Sequence, residues 1–153
     1  MGQTGRIDQP ETFVHRDAFV LSDDPSRLDL DFILDCLATT YWAGGEPRDR
    51  MRRALLASHV YGLYTPDGGL CGCVRILSDG VFNARISDLF LLPEYRGCGL
   101  GHWILETLLH ASRFKEVRRW QLVTEDAHTF YERFGFQVFP GDGKFMTLSR
   151  TTT

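Results

Sequence analysis

The sequence predicts a single domain of mixed α/β class, and three observations carry that expectation. The 153 residues are 43% hydrophobic and 24% charged, a globular balance in a chain long enough for one real core. Two apolar runs, residues 60–65 and 70–78, flank the turn Pro66-Asp67-Gly68-Gly69, the pattern of an antiparallel hairpin. From residue 87 onward the pattern alternates strand, helix, strand, helix, strand, which places a parallel pair in the sheet and a ligand site at its C-terminal ends.

Residues 1–11 are polar and are expected to form a flexible N-terminal segment. A strand is predicted over 13–21, then a helix over 24–40, with Leu28, Phe32, Leu34 and Leu37 inward at helical spacing. Tyr41, Trp42 and the Gly44-Gly45 break make a loop. Pro47 opens a second helix that runs to Ser58, because a first-turn proline gives up no hydrogen bond. Its Arg48, Arg50, Arg52 and Arg53 read as a solvated face. After the hairpin come a third strand over 82–92, a helix over 101–112, a strand over 120–124, a helix over 126–133 capped by Asp126, and a strand over 136–139. Neither a repeat nor a linker interrupts the chain, so residues 1–153 are expected to form one domain.

A net charge of −3 creates no field that would gather nucleic acid or anionic lipid. No apolar run approaches the roughly twenty residues that span a bilayer. The start of the chain lacks the apolar core of a signal peptide, and Arg6 stands where an N-myristoylation signal needs Ser or Thr. Cys36, Cys71, Cys73 and Cys98 match neither a paired-cysteine zinc site nor a disulfide framework, so no metal and a reducing, cytoplasmic setting are expected. Cys71 and Cys73 alternate onto one strand face as buried structural thiols. Cys98 lies in a glycine-rich turn, where a helix N-terminus would lower its pKa; small size is the simpler reason for it.

That turn places Gly97, Gly99 and Gly101 where an apolar strand hands over to a helix. It reads either as an ordinary strand-to-helix turn or as a row of backbone amides that, with a helix N-terminus, holds phosphate. A nucleotide-hydrolase loop is excluded, since His102 and Trp103 follow Gly101 in place of Lys and Ser or Thr. The order Arg96-Gly97-Cys98-Gly99-Leu100-Gly101 also fits a dinucleotide fingerprint poorly, and its strand follows a meander instead of opening a βαβ unit.

Two separated stretches carry a family resemblance. Leu89 to Gly101 contains Pro93-Glu94-Tyr95-Arg96-Gly97-Cys98-Gly99-Leu100-Gly101, and Ala127 to Phe136 contains Ala127, Tyr131-Glu132 and Gly135-Phe136. In this order and separation they resemble the pyrophosphate loop and the A-x-x-x-Y-E-x-x-G-F segment of the GCN5-related N-acetyltransferase (GNAT) superfamily. The strand and helix order extends that resemblance over most of the chain. It implies a central, mostly antiparallel sheet with a splayed parallel pair, flanked by about four helices.

The resemblance further implies acetyl-CoA as cosubstrate and transfer of its acetyl group to an amine by direct attack. Arg96, Gly97, Cys98, Gly99, Leu100, Gly101 and His102 would hold the pyrophosphate, and the open edge at Phe90 and Leu91 the pantetheine arm. The Leu91 amide would face the thioester oxygen. Tyr131 would protonate the departing thiolate or, in the alternative, position the sulfur. Thr124 stands where many members carry Asn, so that pantetheine contact rests on a hydroxyl. For the base, Asp88 comes first, with Glu94, His128 and ordered water behind it; Asp88 read as a structural residue would pair with Arg75 or Arg85. Acceptor choice falls to residues 24–58, where Tyr41 and Trp42 would wall the pocket. The expected acceptor is a small amine and the expected assembly a monomer or homodimer. A peptide acceptor and a non-catalytic acyl-CoA-binding module stand as alternatives.

Overall fold

The computed structural model describes residues 9–138, which fall into two compact units dividing between Leu122 and Val123. Residues 1–8, most of the segment expected to be flexible, lie outside the described residues, as does Phe139 at the end of the expected last strand.

The first unit is built on one six-stranded sheet with its strands in sequence order: β1 (Thr12–Val14), β2 (Val20–Ser22), β3 (His59–Tyr64), β4 (Leu70–Ser78), β5 (Asn83–Leu91) and β6 (Arg119–Gln121). β1 to β5 are antiparallel neighbours, and β5 with β6 is parallel. The expected hairpin closes where the Thr65 amide bonds the Gly69 carbonyl at 2.8 Å, with Gly68 left-handed at φ +94°. The expected parallel pair flanks α3 (Leu100–Leu109), as a crossover connection requires.

Residues 136–138 of the expected last strand are not in a strand, and two expectations near the start of the chain also need correction. The single strand over 13–21 is instead the β1–β2 hairpin, because the chain reverses at His15 to Phe19 with Ala18 left-handed at φ +70°. The helix over 24–40 is shorter, α1 (Leu30–Leu37). The Ser22 and Asp24 side chains accept the amides of Asp24 and Ser26, and such local bonds compete with a helix; Asp29 then caps the real one by accepting the Phe32 amide. Phe32, expected inward, is only half-buried, and Ile33 takes the core position.

α2 (Arg48–Leu56) follows with Pro47 at its N-cap. Its arginines form ion pairs: Arg48 with Asp31 and Asp35, Arg52 with Asp31, Arg50 with Glu46, and Arg53 with Asp49. Exposed pairs of this kind contribute at most about 1 kcal/mol each, so the helix is held chiefly by its apolar side. Ile33, Leu34, Leu37, Ala43 and Leu55 bury one face of the sheet at Val60, Cys73 and Phe90. Strand alternation sends Tyr61 to the opposite face, where Phe114, just beyond α3, packs against it with ring centroids 6.5 Å apart. The Glu11 carboxylate accepts the Tyr61 hydroxyl at 2.6 Å and fastens the start of the described chain to the sheet.

The second unit contains α4 (His128–Glu132), shorter than expected and with Ala127, not Asp126, at its N-cap. The entry turn is closed by Thr124, whose Oγ1 accepts the Ala127 amide at 3.1 Å. Phe130, Tyr131, Phe134 and Phe136 form a run of edge-on ring contacts in this unit.

Candidate active site

The site begins at an edge that the sheet leaves open. The β5–β6 ladder contains only Asn83↔Arg119, Ala84↔Trp120 and Arg85↔Gln121, while β5 continues to Leu91. From Ile86 to Leu91 no strand pairs with β5 on that side among the described residues. The Leu92 amide bonds the Cys71 carbonyl of β4 at 2.9 Å. Backbone groups alternate along a strand, so the Leu91 amide faces the open edge. The Leu91 carbonyl, on that same edge, accepts Arg96 Nε at 2.8 Å, and the guanidinium carbon lies 5.3 Å from the centre of the Phe90 ring.

A single 3-10 turn, Pro93–Tyr95, carries the chain off the sheet into an exposed loop. Gly97 and Gly99 both take left-handed backbone, φ +77° and +88°, with open space where a Cβ would stand. Gly99 is the N-cap of α3, and the Trp103 amide closes the first helical turn onto its carbonyl at 3.0 Å. The amides of Leu100 and Gly101 precede that bond, at the positive end of the helix. Cys98 is exposed and its Sγ donates to the Tyr95 carbonyl at 3.1 Å, while His102 Nε2 lies 4.0 Å from Glu106. The geometry suits a pyrophosphate: uncrowded glycines, an exposed approach and helix-terminal amides together.

Asp88 sits in a β-bulge. Cys73 pairs with Phe90 and Arg75 with Ser87, so Val74 alone opposes both Asp88 and Leu89. Asp88 itself is left-handed at φ +56°, a conformation that Asp tolerates better than most residues. Its side chain is 5% exposed and both oxygens are engaged: Oδ2 accepts Arg75 Nε at 2.7 Å, and Oδ1 accepts Trp42 Nε1 at 2.9 Å. The structure therefore brings together an expected base and an expected acceptor-wall residue 46 positions apart. Tyr41 stands edge-on to Trp42 with ring centroids 5.1 Å apart, and the two are 56% and 43% exposed.

The neighbouring thiols are packing groups. Burial pushes Cys71 up to about 11 and raises Cys73 further, with the Asp88 carboxylate adding to the rise, so both remain protonated at neutral pH. Thr124, His128 and Tyr131 belong to the second unit, where Thr124 Oγ1 already accepts an amide. Sequence reading overlooked Ser58, which accepts Arg75 Nη1 at 3.2 Å from the end of α2. No local pattern marks it, because the link depends on β3 and β4 lying side by side.

The family model of the Acetyltransferase (GNAT) domain matches residues 57–138, a span that includes the bulge, the open edge, the glycine turn and α4. The chain belongs to the GNAT acetyltransferases. GNAT enzymes are N-acetyltransferases that use an acyl-CoA and an acceptor. A Gibberella zeae protein whose name proposes acetyltransferase activity is 30% identical, over 87% of this chain and 86% of its own length. The chloroplastic serotonin N-acetyltransferase 2 of Oryza sativa subsp. japonica is 34% identical, over 70% of this chain and 58% of its own length. Among solved structures, a GNAT family protein of Xanthomonas campestris pv. campestris is similar with TM-score 0.78 and 31% identity, covering 86% of this chain and 93% of that one. The GNAT match starts after α1 and α2, so it leaves out Tyr41 and Trp42.

Proposed function

We propose that this GNAT enzyme transfers the acetyl group of acetyl-CoA to a small amine by direct attack, with both substrates bound together. The observation that carries the reading is the edge of β5 from Ile86 to Leu91, unpaired among the described residues, which runs straight into the left-handed glycines and first-turn amides of α3. Bound there, acetyl-CoA supplies an activated acyl group as its thioester. The loop from Arg96 to His102 holds the pyrophosphate, and Phe90 and Leu91 offer backbone to the pantetheine arm. The Leu91 amide donates to the carbonyl oxygen on which charge grows during attack. The amine nitrogen bonds the acetyl carbon, the carbon–sulfur bond breaks, and Tyr131 Oη gives its proton to the leaving sulfur; the proton that the amine loses passes to water, from which the Tyr131 phenolate is reprotonated before the next turnover. Thr124 is held in its own turn, so we assign it a supporting contact only.

For the acceptor, the Tyr41–Trp42 pair offers an exposed aromatic wall, and the rice relative's name points the same way, to an alkylamine that carries an aromatic ring. Trp42→Ala is expected to raise the acceptor KM while leaving acetyl-CoA affinity nearly intact. Steady-state kinetics beside calorimetry checks this; an equal loss for both ligands would mean general damage. The four cysteines are free and two are buried, which suits a reducing compartment such as the cytoplasm. The test is a screen of small amines and peptides with release of free thiol as the signal. Selective turnover of small amines supports the proposal, whereas turnover of peptides alone moves the acceptor class to proteins.

A further inference from the structure

We propose that Asp88 is a positioning residue: it pins the Trp42 indole to the bulge of β5, and it does not take the proton of the incoming amine. The inference rests on the acetyl-transfer reading and concerns the same site. A general base has to come within hydrogen-bond distance of the proton it removes. Asp88 is buried, and the two directions in which its oxygens are engaged lead to other parts of the fold, Trp42 on the loop after α1 and Arg75 on β4. Arg75 continues the chain of contacts to Ser58 at the end of α2. An amine could reach the carboxylate along these directions only by displacing the indole or the guanidinium.

The contact has a function that a plain core ion pair would not. Trp42 is 43% exposed on a loop that ends in Gly44 and Gly45, so its ring needs an anchor to stand in one place. A carboxylate that also carries an arginine supplies a charge-assisted one. The anchor point lies in the bulge itself, three residues before the Leu91 amide on the open edge. The acceptor wall and the strand that faces the thioester are thereby fastened to a single residue, and the spacing between them is set by the fold. Two ionisable groups approach Asp88 in this arrangement, Arg75 through its guanidinium and Cys73, whose Sγ donates to the Asp88 carbonyl at 3.6 Å.

Asp88→Asn presents one oxygen and one amino group to two donors, so it keeps only one of the two contacts. The expected result is a rise of about tenfold in acceptor KM, the effect of one charge-assisted hydrogen bond, with a smaller change in kcat and an unaltered shape of the kcat–pH profile. Trp42→Phe, which keeps a ring and deletes the N–H, should raise KM comparably, and the double variant should be no worse than either single one. A kcat loss of about a hundredfold in Asp88→Asn, with one limb of the pH profile gone, would overturn the proposal and return Asp88 to the base role. Additive effects in the double variant would overturn it as well, and if Asp88→Asn fails to fold, an unchanged acceptor KM in Trp42→Phe does the same. A second readout needs no turnover. The chain has three tryptophans, so the indole N–H of Trp42 is resolvable among three NMR signals, and Asp88→Asn should speed its hydrogen exchange. Unchanged exchange in a folded variant contradicts the clamp whatever the enzyme acetylates. If the unmodified protein turned over no amine, the transfer reading and Asp88's part in it would fall, while faster exchange would still establish the clamp.

Discussion

Tyr131→Phe is expected to lower kcat by roughly 10²-fold or more while acetyl-CoA affinity and melting temperature change little. The substitution removes one hydroxyl and keeps the ring, so the contacts of the Tyr131 ring with Phe130 at 5.0 Å and Phe136 at 6.0 Å survive. An ordinary phenol holds its proton about 1.5 pKa units more tightly than an ordinary thiol, so in the proposed acid role the hydroxyl would deliver it only in a transfer coupled to carbon–sulfur cleavage. Removing such a donor falls on the transition state alone, which is why kcat should change and affinity should not. A hundredfold loss is about 2.7 kcal/mol, more than a peripheral neutral hydrogen bond contributes. Stopped-flow or steady-state thiol release measures it; full turnover by the Phe variant would remove Tyr131 from the acid role.

Gly99→Val should weaken acetyl-CoA binding by well over tenfold, a factor that corresponds to more than about 1.4 kcal/mol. Gly99 has φ +88° and ψ 0°, a left-handed conformation that a β-branched residue adopts only under strain. No atom lies within 4 Å of a Cβ placed there, so the side chain has room in the free protein. The damage falls instead on the ligand side. Strain rotates the amides that open α3 away from a common target, and the added methyl groups occupy the approach a phosphate needs. Gly80, left-handed at φ +77° with equally open space in the turn between β4 and β5, supplies the control. Gly80→Val should lose stability without losing affinity. Calorimetry on both folded variants separates the cases, and an unchanged affinity in Gly99→Val would contradict phosphate binding at the turn.

The features that sequence reading located are those encoded by neighbouring residues. Pro66-Asp67-Gly68-Gly69 specifies its hairpin through local turn chemistry, and the glycines at 97 and 99 mark the strand-to-helix turn at the head of α3, which the structure builds with left-handed backbone. The parallel pairing of β5 and β6 followed from the helix between them. The β1–β2 reversal was missed because it uses Ala18 where Gly or Asn is the usual signal for positive φ. The bulge was missed for a different reason: Asp88 is conspicuous within an apolar strand, but the extra residue becomes visible only once β4 lies beside β5. The contact between Trp42 and Asp88 is wholly tertiary. Sequence reading proposed both residues for the site, with separate roles, and only the fold joins them.

The central claim is that acetyl-CoA held along β5 and the turn before α3 gives its acetyl group directly to an amine. Initial velocities of thiol release, with acetyl-CoA and a responsive amine varied together, test it most directly. Direct transfer in a ternary complex predicts double-reciprocal lines that intersect, with release strictly dependent on the amine and an acetylated amine as product. Parallel lines would instead mean an acylated enzyme, and tight acetyl-CoA binding with no amine-dependent release across small amines and peptides would contradict catalysis itself.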